Sequence, residues 1–221
     1  MSVDYEKLAG FFRVHYNEES SKKMSAYMKN KFEFIGLKSK KRRSLAKDYK
    51  NKYEYFSLED IQQDAIEIWN LDEREFQYIY LDYLKKNKKK LTEDSIETIE
   101  YLIANKSWWD TVDLIATHLV GELFKQYPHF INRYREKWQD SNNIWLQRSL
   151  ILFQLKYKEM TDEALLFEII NKNLGSEEFF INKAIGWVLR EYSKTNRAAV
   201  ETFVEKTNLS RLSKREASKY L

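Results

Sequence analysis

An all-α fold arranged as an α-solenoid is what this chain predicts, and three observations carry that expectation. Its 221 residues include 5 Gly and 1 Pro, too few residues of unusual backbone freedom to turn the strands of a large sheet or a Rossmann-type fold. Apolar residues recur at helical instead of alternating spacing, and helix-start signals recur along the chain. The sequence also repeats on itself. Trp108-Trp109-Asp110-Thr111-Val112-Asp113-Leu114-Ile115 lies over Ile144-Trp145-Leu146-Gln147-Arg148-Ser149-Leu150-Ile151 and over Phe179-Phe180-Ile181-Asn182-Lys183-Ala184-Ile185-Gly186. The segment 75–82 fits more loosely, so helices begin at intervals of 33, 36 and 35 residues. A helix pair with its two turns takes about that length, which is the signature of a helical solenoid. An irregular bundle is the competing architecture, and only a stack would supply a long concave surface. Residues 1–221 are read as a single domain.

The elements follow in order. The start, MSVDYEKLAGFF, lacks the basic segment and apolar run of a signal peptide, and no stretch of 18 apolar residues occurs. A soluble, unprocessed protein is expected. Without Cys there is no disulfide framework, Zn-thiolate site, iron–sulfur cluster or thiol nucleophile, and a reducing, cytoplasmic location follows as an expectation. Candidate helix starts are Ser20, Ser39, Thr92, Thr161, Ser176 and Asn196, with Pro128 suited to a first turn. Ser57 with Asp60 resembles a capping pair, and Ser213 with Glu216 reads as a full capping box. About a dozen short helices result. Gly36 and Gly175 look like helix ends, whereas Gly186 lies inside a helix, at a cost of about 1 kcal/mol relative to Ala, and suggests close helix packing.

Charge is separated along the chain. Lys38, Lys40, Lys41, Arg42, Arg43, Lys47 and Lys50 face the single acid Asp48, and residues 85–90 read Lys-Lys-Asn-Lys-Lys-Lys. The stretch 54–80 is acidic by contrast. A net charge of +4 distributed in this way gives a positive side that a polyanion could use, although charge runs are commonly just solvated faces.

Three helices carry candidate chemistry. In 143–157, nine of fifteen side chains are apolar or aromatic, yet Arg148 sits among them; such a cation needs a partner. That partner is either an acid on a neighbouring helix or a bound phosphate or carboxylate. In 179–194, Ala184, Ile185, Val188, Leu189 and Tyr192 form the packing side, leaving Lys183, Trp187, Arg190 and Lys194 on one face. An indole within a cationic stripe suits nucleic-acid binding, or else Trp187 packs on a neighbour under draped cationic side chains. In 107–120, Trp109 and Asp113 share a face. Asp113 is an exposed acid, a partner for Arg148 from the next repeat, or a carboxylate in an aromatic-walled, partly dry site able to stabilise a transient cation. The remaining indoles, Trp69, Trp108, Trp138 and Trp145, are assigned to the core.

Lys106-Ser107-Trp108-Trp109-Asp110-Thr111-Val112-Asp113, Asn143-Ile144-Trp145-Leu146-Gln147-Arg148 and the segment from Lys183 to Asn196 together resemble the AlkD family of DNA alkylation repair glycosylases. Tyr27-Met28-Lys29-Asn30 and Leu212-Ser213-Lys214-Arg215-Glu216-Ala217 match as well, so the resemblance is colinear over nearly the whole chain. It implies HEAT-like helical repeats curved around duplex DNA. It also implies hydrolysis of the N-glycosidic bond of N3- and N7-alkylated purines, leaving an abasic site, with no metal or organic cofactor. The acid matching Asp113 is catalytic in that family, Trp109 and Trp187 match residues that flank the deoxyribose of the lesion, Arg148 matches a contact to the DNA backbone, and Tyr27 a further residue at the DNA surface. Lys106, Lys183, Arg190, Lys194 and Arg43 are the other expected DNA contacts. The partner is then double-stranded DNA carrying cationic alkylated purines, with no membrane association and monomeric action.

Other chemistries lack their residues. His15, His118 and His129 are without metal-ligand spacing, and the isolated glycines form no phosphate loop. Two rivals remain: a HEAT-like DNA-binding protein without glycosylase activity, and a solenoid scaffold for proteins. Arg197, where a Pro commonly follows in the family, and the stop at Leu221 depart from the pattern at the C-terminal edge and bear on DNA affinity more than on catalysis.

Overall fold

The computed structural model describes residues 3–221. Met1 and Ser2, the first positions of the segment read as carrying no signal peptide, lie outside them. Among the described residues there is no strand, only one isolated bridge between Glu33 and Glu73. The chain divides into two compact units, the first ending at Thr98 and the second running Ile99–Leu221.

The first unit contains α1 (Tyr5–Arg13), α2 (Glu18–Tyr27), α3 (Ser39–Lys50), α4 (Ile61–Asn70) and α5 (Arg74–Asn87). The division falls within α6 (Ser95–Ala104). Leu8, Phe12, Tyr49, Ile68, Trp69, Phe76 and Tyr80 fill its core. The linker between α2 and α3 is held by Glu75 of α5, whose buried carboxylate accepts the backbone N–H groups of Ile35, Gly36 and Leu37 at 2.9–3.0 Å. Gly36 therefore does not end a helix, contrary to the expectation from sequence. It sits in this linker at φ +94°, where a Cβ would lie 2.5 Å from the Asn17 carbonyl oxygen, so only glycine fits.

The second unit continues with α7 (Trp109–Leu114), which runs through a π-helical segment (Ile115–Val120) into α8 (Gly121–Gln126). Then come α9 (His129–Gln139), α10 (Ile144–Leu152), α11 (Glu163–Lys172), α12 (Phe179–Tyr192), α13 (Arg197–Lys206) and α14 (Arg211–Ala217), closed by a 3-10 turn, Ser218–Tyr220. The helices α5, α7, α10 and α12 begin at residues 74, 109, 144 and 179, a constant spacing of 35. The repeat read from sequence is thus regular, and the all-helical, solenoid-like architecture is the one observed. Within this unit α10 packs on α7, α9, α11 and α12, and α12 packs on α13 and α14.

Several helix starts lie a few residues from where local signals put them. Asn17 caps α2 by accepting from the Ser20 N–H, and Asp162 caps α11 by accepting from Leu165; Ser20 and Thr161 flank these caps. Asn196 caps α13 as expected, and Pro128 stands at the cap position of α9. Thr92 lies before α6, donating its N–H to Ser95. Ser176 accepts the N–H of Glu178, which precedes α12. The Ser57–Asp60 pair does not cap α4: Ser57 accepts from Glu59 and donates its own N–H to buried Asp64. The expected capping box at Ser213 is also absent. Ser210 is the cap of α14, and Ser213 lies inside the helix, its hydroxyl on the Asn182 carbonyl at 2.9 Å. A Ser-x-x-Glu pattern records only local spacing, and here both side chains find better partners on α12.

Candidate functional site

A cleft of about 340 Å³ in the second unit is lined by Trp109, Asp113, Arg148, Phe179, Phe180, Lys183, Trp187 and Arg190. Three helices build it, and the constant spacing of their starts explains how. Trp109 opens α7 and Asp113 lies one turn later on the same face. Arg148 occupies the second turn of α10, and Phe179 and Phe180 open α12, whose next turns present Lys183, Trp187 and Arg190.

Arg148 is 3% exposed, and each of its three guanidinium nitrogens makes a hydrogen bond. Its Nε donates to Asp113 Oδ1 at 2.7 Å, Nη2 donates to Oδ2 at 2.9 Å, and Nη1 donates to the Phe180 carbonyl. This planar, two-point pairing fixes the carboxylate plane and leaves each oxygen a further lone pair toward the cleft. Of the readings open for Arg148 and Asp113, the structure shows the inter-repeat pair. The guanidinium is largely buried and holds the acid, while Arg148 still lines the cleft. Burial pushes the Asp113 carboxyl above the ordinary range, opposed by the hydrogen bonds and charge of Arg148. The Thr117 hydroxyl, in the π segment, donates to the Asp113 carbonyl at 2.7 Å, anchoring the backbone where the helix widens.

Half-buried Trp109 and Trp187 stand on the walls. Phe180 makes ring contacts with Trp108 and Trp145, centroids 5.0 and 4.9 Å away, and those two indoles meet at 5.6 Å. Trp69 and Trp138 are core residues as expected. Trp108 and Trp145 instead remain half-buried, because their rings back the cleft through Phe180.

The cationic stripe of α12 divides. Lys183 and Arg190 line the cleft and both reach Glu216 of α14, at 2.8 and 3.1 Å. Lys194 lies outside the lining, paired with Glu191 at 2.6 Å and placed over the Tyr220 ring. Lys106 sits in the bend before α7 at φ 45°. Tyr27, 69% exposed at the end of α2, and exposed Arg43 on α3 belong to the first unit. Sequence reasoning did not single out Phe179, Phe180 or Glu216. The aromatic pair at the head of a repeat helix was a usable signal for the first two. Glu216 was read as a cap, and nothing local points to cations on another helix.

The geometry offers a fixed, partly desolvated carboxylate between indole faces with cations at the rim. It suits a substrate that develops positive charge next to a phosphodiester. Among the described residues, no group of three His, Cys, Asp or Glu side chains could hold a metal ion, and no helix is long and apolar enough to cross a membrane.

A family model described as DNA alkylation repair enzyme matches residues 11–221. A solved structure of a predicted DNA alkylation repair enzyme from Enterococcus faecalis is similar, with 34% identity and a TM-score of 0.85 over 94% of this chain and 97% of that one. No curated protein matches.

Proposed function

This chain belongs to the DNA alkylation repair enzyme family, and from that premise we propose that it is a monofunctional DNA glycosylase acting on N3- and N7-alkylated purines in duplex DNA, like the AlkD family it resembles. The observation that carries the reading is Asp113, held by Arg148 in two-point geometry within an indole-walled cleft.

Alkylation at N3 or N7 makes the purine cationic and a good leaving group, so little general-acid help is needed. As the C1′–N bond breaks, its electron pair goes to the purine and cancels that charge. Positive charge develops on the deoxyribose. The Asp113 carboxylate opposes it and orients a water whose oxygen bonds to C1′, the water's proton passing to solvent. A preorganised charge of this kind lowers the barrier by about 3 to 4 kcal/mol, two to three decades in rate. The faces of Trp109 and Trp187 would each add about 0.5 to 2 kcal/mol of cation–π attraction. Lys183 and Arg190 would hold the flanking phosphates, so that strand position, not an enclosing base pocket, brings the sugar to the acid. Arg148 contributes through Asp113. Tyr27, Arg43, Lys106 and Lys194 are proposed DNA contacts away from the reacting bond. The protein acts as a monomer without a cofactor.

The test follows release of N7-methylguanine or N3-methyladenine from duplex DNA by the wild type and by Asp113→Asn at matched binding saturation. Release slowed about 100-fold or more with binding retained is the expected result. If the folded wild type binds the lesion duplex and releases no base above background, the glycosylase reading falls and a DNA-binding repeat protein remains.

A further inference from the structure

One buried acid in the second unit has a role that neither catalysis by Asp113 nor helix capping uses. The Glu216 side chain is 4% exposed, yet three cations converge on it: Lys183 at 2.8 Å, Arg190 at 3.1 Å and Lys219 at 2.8 Å. The first two come from α12, where they line the cleft on either side of Trp187. Lys219 comes from the closing 3-10 turn. The cations themselves keep 38%, 23% and 47% of their side-chain surface. One charge is therefore buried at the centre of three that still face solvent, leaving a local excess of two positive charges.

The approach of the two helices is built for this contact. A Cβ on Gly186 would stand 2.5 Å from Glu216 Cβ and 2.8 Å from the Ser213 carbonyl oxygen. The Ser213 hydroxyl clamps α14 to α12 through the Asn182 carbonyl. Glycine at 186 lets α14 lie close enough for the short glutamate arm to reach beneath both α12 cations. Lys183 and Lys219 hold the carboxyl down to about 2, so it is charged at any working pH.

We infer that Glu216 is a positioning residue that gathers Lys183, Arg190 and Lys219 into one platform for a DNA phosphodiester beside the Trp187 wall, with Lys219 an additional phosphate contact. Three cations at one point repel each other and splay when nothing holds them; a shared acid keeps their ammonium and guanidinium groups gathered, each within 3.1 Å of one carboxylate. Each remains a donor because Lys has three N–H groups and Arg five. The inference rests on the reading of the cleft as a DNA site, but not on base release.

This role predicts an effect of unusual sign. Removing an acid from a DNA-facing surface should by simple electrostatics tighten binding to a polyanion. If Glu216 arranges the platform, Glu216→Gln should instead weaken it. The experiment measures affinity for a duplex carrying a tetrahydrofuran abasic-site analogue by fluorescence anisotropy over a salt series, for wild type, Glu216→Gln and Lys219→Ala. Base release from an N7-methylguanine duplex is followed in parallel. The expected results are about fivefold to tenfold weaker binding for Glu216→Gln at unchanged fold by circular dichroism. Lys219→Ala, in an exposed turn that does not threaten folding, should also bind more weakly, with a salt slope shallower by about 1. Equal or tighter binding by folded Glu216→Gln, or unchanged affinity and slope for Lys219→Ala, would overturn the platform. Weakened binding by both variants alongside a wild type that releases no base would leave the platform standing and remove the glycosylase reading alone.

Discussion

At Asp113 two influences act on one carboxyl. Desolvation raises its pKa and the Arg148 guanidinium lowers it, with the rise prevailing. The proposed mechanism needs the ionised form, so activity should fall on the acid side through a pKa above the ordinary Asp value of 3.8. Replacing Arg148 by Met removes the opposing charge, and the acid limb of the single-turnover rate profile should move to higher pH. An unmoved limb would mean that the titration belongs to another group. The same substitution leaves Asp113 without its partner, which for a buried pair costs about 3 to 5 kcal/mol. With 15% of the acid's side chain exposed, about 3 kcal/mol is expected in denaturant unfolding. Both residues were visible in the sequence, Arg148 as a lone cation among apolar neighbours and Asp113 as an acid one turn after Trp109. Their pairing was one of several options there, because a side chain's partner across 35 residues depends on how neighbouring repeats pack.

At the scale of elements, α12 and α14 show where local patterns mislead. Ser213 and Glu216 satisfy the spacing of a capping box, yet the cap lies three residues earlier, at Ser210, and both side chains serve α12. The Glu216 carboxyl, depressed to about 2, supports the fold fully above the ordinary Glu value of 4.5, and that support is lost as pH falls through about 2. Acid unfolding of Glu216→Gln should therefore show a smaller loss of stability between pH 4.5 and 2 than the wild type. Gly186 was correctly read as a close-packing site. Gly186→Ala should destabilise by about 1 to 3 kcal/mol because backbone must shift to admit the methyl group. Gly10→Ala, in α1 with nothing within 4 Å of the added Cβ, should stabilise by about 0.4 to 1 kcal/mol. Thermal melts of the two variants test this contrast. The π segment Ile115–Val120 had no local signature; it is a register change within a stretch that is buried at every position but His118.

At the scale of the whole molecule, the proposed reactive constellation lies in the second unit, and Tyr27 and Arg43, proposed DNA contacts, lie in the first. Arg43→Ala should weaken duplex binding and lower the salt slope by about 1, with the base-release rate at saturating enzyme unchanged; a slowed saturated rate would show that Arg43 acts on the reacting bond. By itself the sequence determined the helical class and the repeat near 35 residues, and it singled out Trp109, Asp113, Arg148 and Trp187 without deciding among their readings. These depend on composition, periodicity and residue spacing, which are properties of the chain in one dimension. Only the tertiary structure decided which acid meets which cation. It turned Arg148 inward onto Asp113, separated Lys194 from the cleft, and made a buried hub of a glutamate that reads locally as a cap. The physical reason is that charge pairing and desolvation act through space, over distances that sequence separation does not encode.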